Sequence, residues 1–109
     1  MKDLLKGAYD LHIHCGPDVV PRSVTGLEMA RRAAACGMAG FALKAHYGCT
    51  CQEAALINEL VPECHAVGTL TMNSSTGGIS PMAVETAARL GARIIWCPTF
   101  DSASQQKYY

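Results

Sequence analysis

The feature that most constrains the fold is an alternation of two hydrophobic patterns along the chain. Four short apolar runs, at residues 8–14, 40–45, 66–72 and 92–96, are separated by three helix-start signals. Thr25-Gly26-Leu27-Glu28 is a capping box, and the Ala-rich stretch it opens runs to Cys36, with Gly37 at the left-handed closing position. Thr50-Cys51-Gln52-Glu53 has the same signature, and its helix carries Ala54, Ala55, Ile57 and Leu60 and ends before Pro62. Ser80-Pro81 places an N-cap ahead of a proline at the first helical position, and that helix passes through Val84 and Ala87 to Leu90, where Gly91 closes it. Gly40-Phe41-Ala42-Leu43 and Ile94-Ile95-Trp96 are almost continuously apolar, the pattern of strands covered on both faces. The predicted class is α/β, with order βαβαβαβ, a parallel sheet and right-handed crossovers.

The two ends of the predicted strands differ in chemistry. Turns from helix to strand are short and plain. Loops from strand to helix are longer and polar, and hold Asp18 and Arg22, then His46 and Tyr47, then residues 73–78, then Thr99 and Asp101. Chemistry gathered at strand C-termini is common to open α/β sheets and (β/α)8 barrels. The spacing of roughly 25–30 residues per βα unit matches a barrel of about 250 residues, so four strands amount to half of one. The tail from Ser102 could begin a further helix but stops early. One domain spanning residues 1–109 is expected, as a truncated version of a longer enzyme. Exposed sheet edges and an uncovered apolar inner face would favour a homo-oligomer that pairs half-barrels.

Composition narrows the classes. The formal net charge is zero and only 17% of residues are charged, which argues against a nucleic-acid or membrane-surface role. No window of about 18 apolar residues suggests a membrane span. Met1 to Lys6 lacks an apolar run of signal-peptide length, so the cytoplasm is the expected location. The six cysteines, Cys15, Cys36, Cys49, Cys51, Cys64 and Cys97, read as reduced thiols beside ample apolar residue for a core. Cys49 and Cys51 form the one close pair, and they lack a second pair at zinc-ribbon spacing.

The candidate site starts at Asp10-Leu11-His12-Ile13-His14. In a strand, residues two apart share a face, so His12 and His14 project side by side and can converge on one metal. Asp10 shares that face as a supporting partner rather than a ligand. Lys44 and His46 repeat the same spacing at the end of the second run. Lys44, set in an apolar stretch, can hold a substrate carboxylate or phosphate or serve as a base. His46 can be a third ligand or an acid/base group. His65, at the opposite strand end, reads as structural or exposed. Asn73, Gly77 and Gly78 sit in a Ser/Gly loop that could cradle an anion on backbone N–H groups, with Arg22 as a further substrate-binding residue. Asp101 can reach a metal, orient a histidine or cap the next helix, and Cys97 reads as a buried strand-end thiol.

These residues carry a resemblance. The His-x-His pair at the end of a first strand resembles the signature of the amidohydrolase superfamily of metal-dependent hydrolases. Together with Lys44-Ala45-His46, residues 73–81 and Trp96-Cys97-Pro98-Thr99, it resembles an uncharacterised amidohydrolase-like group within that superfamily. The resemblance implies a (β/α)8 barrel with one or two divalent metals at the strand C-termini, here zinc on ligand grounds, with manganese or iron as alternatives. It also implies a small-molecule substrate whose amide, ester or related bond is attacked by a metal-activated water. His12 and His14 match the first-strand ligands. The superfamily's fourth-strand lysine or glutamate is not matched, because that strand ends in Trp96-Cys97, and its later histidines and last-strand aspartate would fall beyond residue 109. A metal-dependent hydrolase whose activity alone is in question is the leading expectation. A half-barrel without turnover, acting in assembly, is one alternative. Another is a phosphoesterase of the polymerase-and-histidinol-phosphatase type, which shares the first motif.

Overall fold

The computed structural model describes residues 2–107 and shows an α/β arrangement of parallel strands alternating with helices. In chain order the elements are α1 (Lys2–Leu5), β1 (Tyr9–Ile13), α2 (Gly26–Ala35), β2 (Gly40–Leu43), α3 (Cys51–Leu60), β3 (His65–Val67) and β4 (Thr69–Thr71), followed by α4 (Pro81–Arg89), β5 (Ile94–Trp96) and α5 (Ala103–Gln106). A single 3-10 turn, Ser74–Thr76, follows β4. Strands β1, β2 and β3 pair in parallel in that order, and β4 pairs in parallel with β5.

Two helices begin as their sequences predict. Thr25 Oγ1 accepts from the Glu28 N–H at 3.1 Å while the Glu28 carboxylate reaches back to the Thr25 N–H, which completes the capping box of α2. Ser80 Oγ accepts from the Ala83 N–H, and Pro81 opens α4. The second capping box does not form. Thr50 makes no side-chain cap, and its hydroxyl instead donates to Leu43 O at 2.7 Å and accepts from the Thr69 N–H at 2.9 Å.

That correction explains another. The third apolar run, expected as one strand, is divided at Gly68 into β3 and β4. The start of α3 presses on the break, where a Cβ on Gly68 would stand 2.7 Å from Cys51 Cα. Thr50 then bridges the ends of β2 and β4, supplying hydrogen bonds that a continuous ladder would have made. The tail forms more than expected: Ser102 caps the four-residue α5. Tyr108 and Tyr109 lie outside the described residues.

The core lies between the sheet and helices α2 and α3. Phe41, Leu43 and Ala66 on the strands meet Ala30, Ala33, Ala54, Ile57 and Val61 on the helices. The small alanine face of α2 allows close approach to β2, and burying Phe41 and Leu43 there removes about 1.5–3 kcal/mol worth of apolar surface from water per side chain. The other face of the sheet, expected to be apolar, carries polar side chains instead, because His12, Lys44 and Thr71 point to it. It carries Lys44 and Trp96, which are in contact, and His12, whose ring centre is 5.2 Å from that of Trp96. β1 and β5 stand at opposite ends of the strand series, so this contact requires the strands to curl around their polar face. Among the described residues no helix is long and apolar enough to cross a membrane.

Candidate functional site

His12 lies on β1 and His14 one residue past its end, and the two rings converge. Their Nε2 atoms are 3.2 Å apart. Two nitrogens on one tetrahedral zinc, each bonded at about 2.0–2.1 Å, would stand about 3.3 Å apart, so the pair fits two neighbouring coordination positions. The fit stops at two. Among the described residues no group of three or more His, Cys, Asp or Glu side chains is placed to hold one metal ion. Asp10 is exposed and supports the pair through the backbone, accepting from the His12 N–H at 3.0 Å. His14 Nδ1 is buried without a hydrogen-bond partner among the described residues.

His46, from the loop after β2, packs face to face on His14, with centroids 4.6 Å apart and planes 19° from parallel. Ring-plane lone pairs on stacked imidazoles run alongside each other rather than to a common point, so His46 is placed for proton transfer or stacking beside the pair. Its Nδ1 lies 2.8 Å from Thr99 Oγ1, and Phe100 covers it at 4.6 Å. Burial lowers the pKa of both rings. For His14 the positive neighbourhood of His46, Arg22, His12 and Lys44 adds to the effect. For His46, Lys44, Arg22 and His12 act with burial and Asp18 opposes. Both imidazoles are therefore biased towards the neutral form that metal ligation and base catalysis require.

Lys44 is 5% exposed, and its Nζ sits 4.5 Å from the centre of the Trp96 ring. Burial lowers its pKa, and among the described residues it makes no ion pair. Arg22 is already committed: its Nε bonds the buried Asp18 carboxylate at 2.8 Å, along a cleft of about 340 Å³ that Gly16, Pro17 and Thr25 help to line.

Four expected site residues have other occupations. Asn73 is buried, its amide donating to His46 O and Thr99 Oγ1 and accepting from the Thr99 N–H, so it ties strand-end loops together and has no free face for substrate. Gly77 and Gly78 do not offer their N–H groups as an anion cradle. The N–H groups of Gly77 and Gly78 close on Ser74 O and Asn73 O, which leaves them unavailable to a ligand. Asp101 accepts from the Ser74 N–H and so clamps the same loop, while Ser102 caps α5. Cys97 is exposed rather than buried. His65 is exposed as expected and contacts the Tyr9 hydroxyl. Cys51 is a poor thiolate donor, its pKa pushed up to about 12 by burial and by a hydrogen bond with Cys49.

Sequence reasoning gives Thr71, Trp96 and Thr99 no site role of their own, although Thr99 stands among the polar strand-end residues and Trp96 in a matched motif. Thr69 and Thr71 repeat the two-residue spacing of the histidines, and Trp96 ends its strand where Lys44 ends β2. Those spacings were the available signal.

No curated protein and no solved structure matches the chain. One family does match, over residues 7–109, and the chain belongs to it: DUF6282, described as a family of unknown function.

Proposed function

We propose that this chain carries the first part of a metal-dependent hydrolase site of the amidohydrolase type. The observation that carries the reading is the 3.2 Å approach of His12 Nε2 and His14 Nε2 at a strand C-terminus. These two residues would hold a divalent metal, zinc by ligand type, with manganese or iron as alternatives. A metal held there would supply Lewis acidity, lowering the pKa of a bound water. His46, held neutral and oriented by Thr99, accepts or returns a proton beside the pair. Lys44 binds negative charge on a small-molecule substrate.

The curled parallel strands support the finer reading that the fold is the first half of a (β/α)8 barrel, with His12 and Trp96 meeting across its interior. The polar face left open by four βα units is the surface on which two such half-barrels would pair. A second reading, a metal-holding half-barrel without turnover, is favoured by the lack of a third ligand among the described residues.

Metal analysis of the purified chain tests the proposal. Near-stoichiometric divalent metal is expected, and it should be lost in the His12→Ala/His14→Ala double variant. Metal content that is negligible, or unaffected by that change, would falsify the ligand assignment. Hydrolysis across an ester, amide and phosphoester panel separates the active reading from the inert one.

A further inference from the structure

The polar face of the sheet holds donors that the protein does not use. Thr71 is fully buried and its Oγ1 has no hydrogen-bond partner among the described residues. Its register partner across the β4–β5 pair is Trp96, whose buried Nε1 also lacks a partner among the described residues. Residues paired in parallel strands present their side chains to the same face. Beside them is Lys44, nine-tenths buried, with its ammonium over the Trp96 ring and no carboxylate paired to it among the described residues. Three neighbouring side chains thus offer O–H, N–H and ammonium donors. An indole N–H and an ammonium group donate and do not accept, so those two cannot satisfy each other, and the Thr71 hydroxyl, which can accept, bonds neither of them. Each unmet buried donor costs stability, and a cluster of them is informative because most buried polar groups are paired.

We infer that Lys44, Thr71 and Trp96 form a subsite for the carboxylate of a small-molecule substrate. Charge matching selects the carboxylate. Lys44 is one uncommitted cation, since Arg22 is neutralised by Asp18, and one cation balances a monoanion. A phosphate monoester, at about −1.5 to −2, would be left undercompensated. Hydrogen bonds to an ionised acceptor are the strong ones, so the subsite gains most from a charged oxygen. The inference deepens the hydrolase reading by naming its substrate class, and its test is independent of metal.

Trp96 is the single tryptophan of the chain, so its fluorescence reports on the subsite directly. The protein, freed of metal with a chelator so that no carboxylate registers by coordination, is titrated with acetate, with neutral acetamide and with inorganic phosphate at constant ionic strength. Acetate is expected to give a saturable change, acetamide none, and phosphate a weaker response than acetate. Lys44→Met should abolish the acetate response. Thr71→Val, close to isosteric, should weaken acetate about tenfold and raise the unfolding midpoint of the unliganded protein. Those opposite signs set a ligand-binding hydroxyl apart from a structural one. An equal acetamide response, tighter phosphate, or a Thr71→Val protein with unchanged acetate affinity or lowered stability would overturn the subsite. If metal analysis fails while acetate binds, the hydrolase reading falls and the subsite stands; the reverse result removes the subsite alone.

Discussion

His46 Nδ1 and Thr99 Oγ1 are 2.8 Å apart although 53 positions separate them in the chain. The contact joins the loop after β2 to the loop after β5, and Asn73 from the loop after β4 holds both partners. Its Nδ2 donates to His46 O at 3.0 Å and to Thr99 Oγ1 at 2.9 Å, and its Oδ1 accepts from the Thr99 N–H at 2.8 Å. Buried networks of this kind are worth most when complete.

Asn73→Ala should therefore act on the fold and on His46 together. Truncation removes the amide donor to His46 O, which keeps only a long bond from Ser75 Oγ, and the acceptor for the Thr99 and Asp101 N–H groups, a loss of about 2–3 kcal/mol. The check is urea unfolding of the variant alongside the nuclear magnetic resonance shifts of the His46 ring. Full stability with an unchanged His46 signal would show that Asn73 does not organise the site.

Two glycines give a sharp contrast. At Gly40 an added Cβ would meet His65 O at 2.2 Å, a backbone atom that cannot step aside without disturbing the β2–β3 ladder. At Gly48 it would meet nothing within 4 Å. Gly40→Ala is expected to cost about 3 kcal/mol or more and Gly48→Ala to stay within about 0.5 kcal/mol. Thermal unfolding of the two variants decides it, and similar melting temperatures would contradict the close packing at Gly40.

Much of the fold was legible because local signals agreed with it. The caps of α2 and α4, the apolar runs and the polar strand-end loops are short-range features, and they persist in the structure. The same grammar misled at Thr50, where a capping-box signature lost to a tertiary demand: the gap beside Gly68 needed hydrogen bonds more than α3 needed a cap. Hydropathy could not reveal the break in the third run, since it depends on how closely α3 approaches Gly68. The meeting of His12 and His14 followed from strand periodicity, despite the irregular register between Asp10 and Ile13. The commitments of Asn73, Gly77, Gly78 and Asp101 did not follow, because composition shows which groups can bind a ligand and not which are already satisfied.

The thiols divide by accessibility and acidity. Cys36, Cys49 and Cys97 are exposed, whereas Cys15, Cys51 and Cys64 are buried. Burial raises the pKa of all three buried thiols, to about 11 for Cys15, where Glu53 adds to the effect. Alkylation proceeds through the thiolate, so the native protein should react rapidly at Cys36, Cys49 and Cys97 and at the remainder only after denaturation. Peptide mapping after brief iodoacetamide treatment reads this out. Early labelling of Cys51 or Cys64 would show that the core opens far more readily than its packing implies.

Glu53 is placed to make stability depend on pH in a defined direction. It lies in the first turn of α3 without capping it, near the start of α2, and its carboxyl is held above its ordinary value of 4.5, first by burial and then by the Asp18 carboxylate. A folded-state pKa above the unfolded one means that the native state binds the proton more tightly. The resulting stabilisation is fully present below pH 4.5 and is lost as pH rises through the folded value. Glu53→Gln keeps the shape and cannot ionise, so it should gain stability relative to wild type as pH rises from below that ordinary value towards neutrality. The side chain is only half buried, and solvent screening limits the size of the effect. Urea midpoints of the two proteins measured in parallel across this range provide the difference curve. A flat curve would mean that Glu53 titrates alike in both states, and a falling one that its charge is stabilised by the N-terminus of α3 more than it is opposed by burial and Asp18.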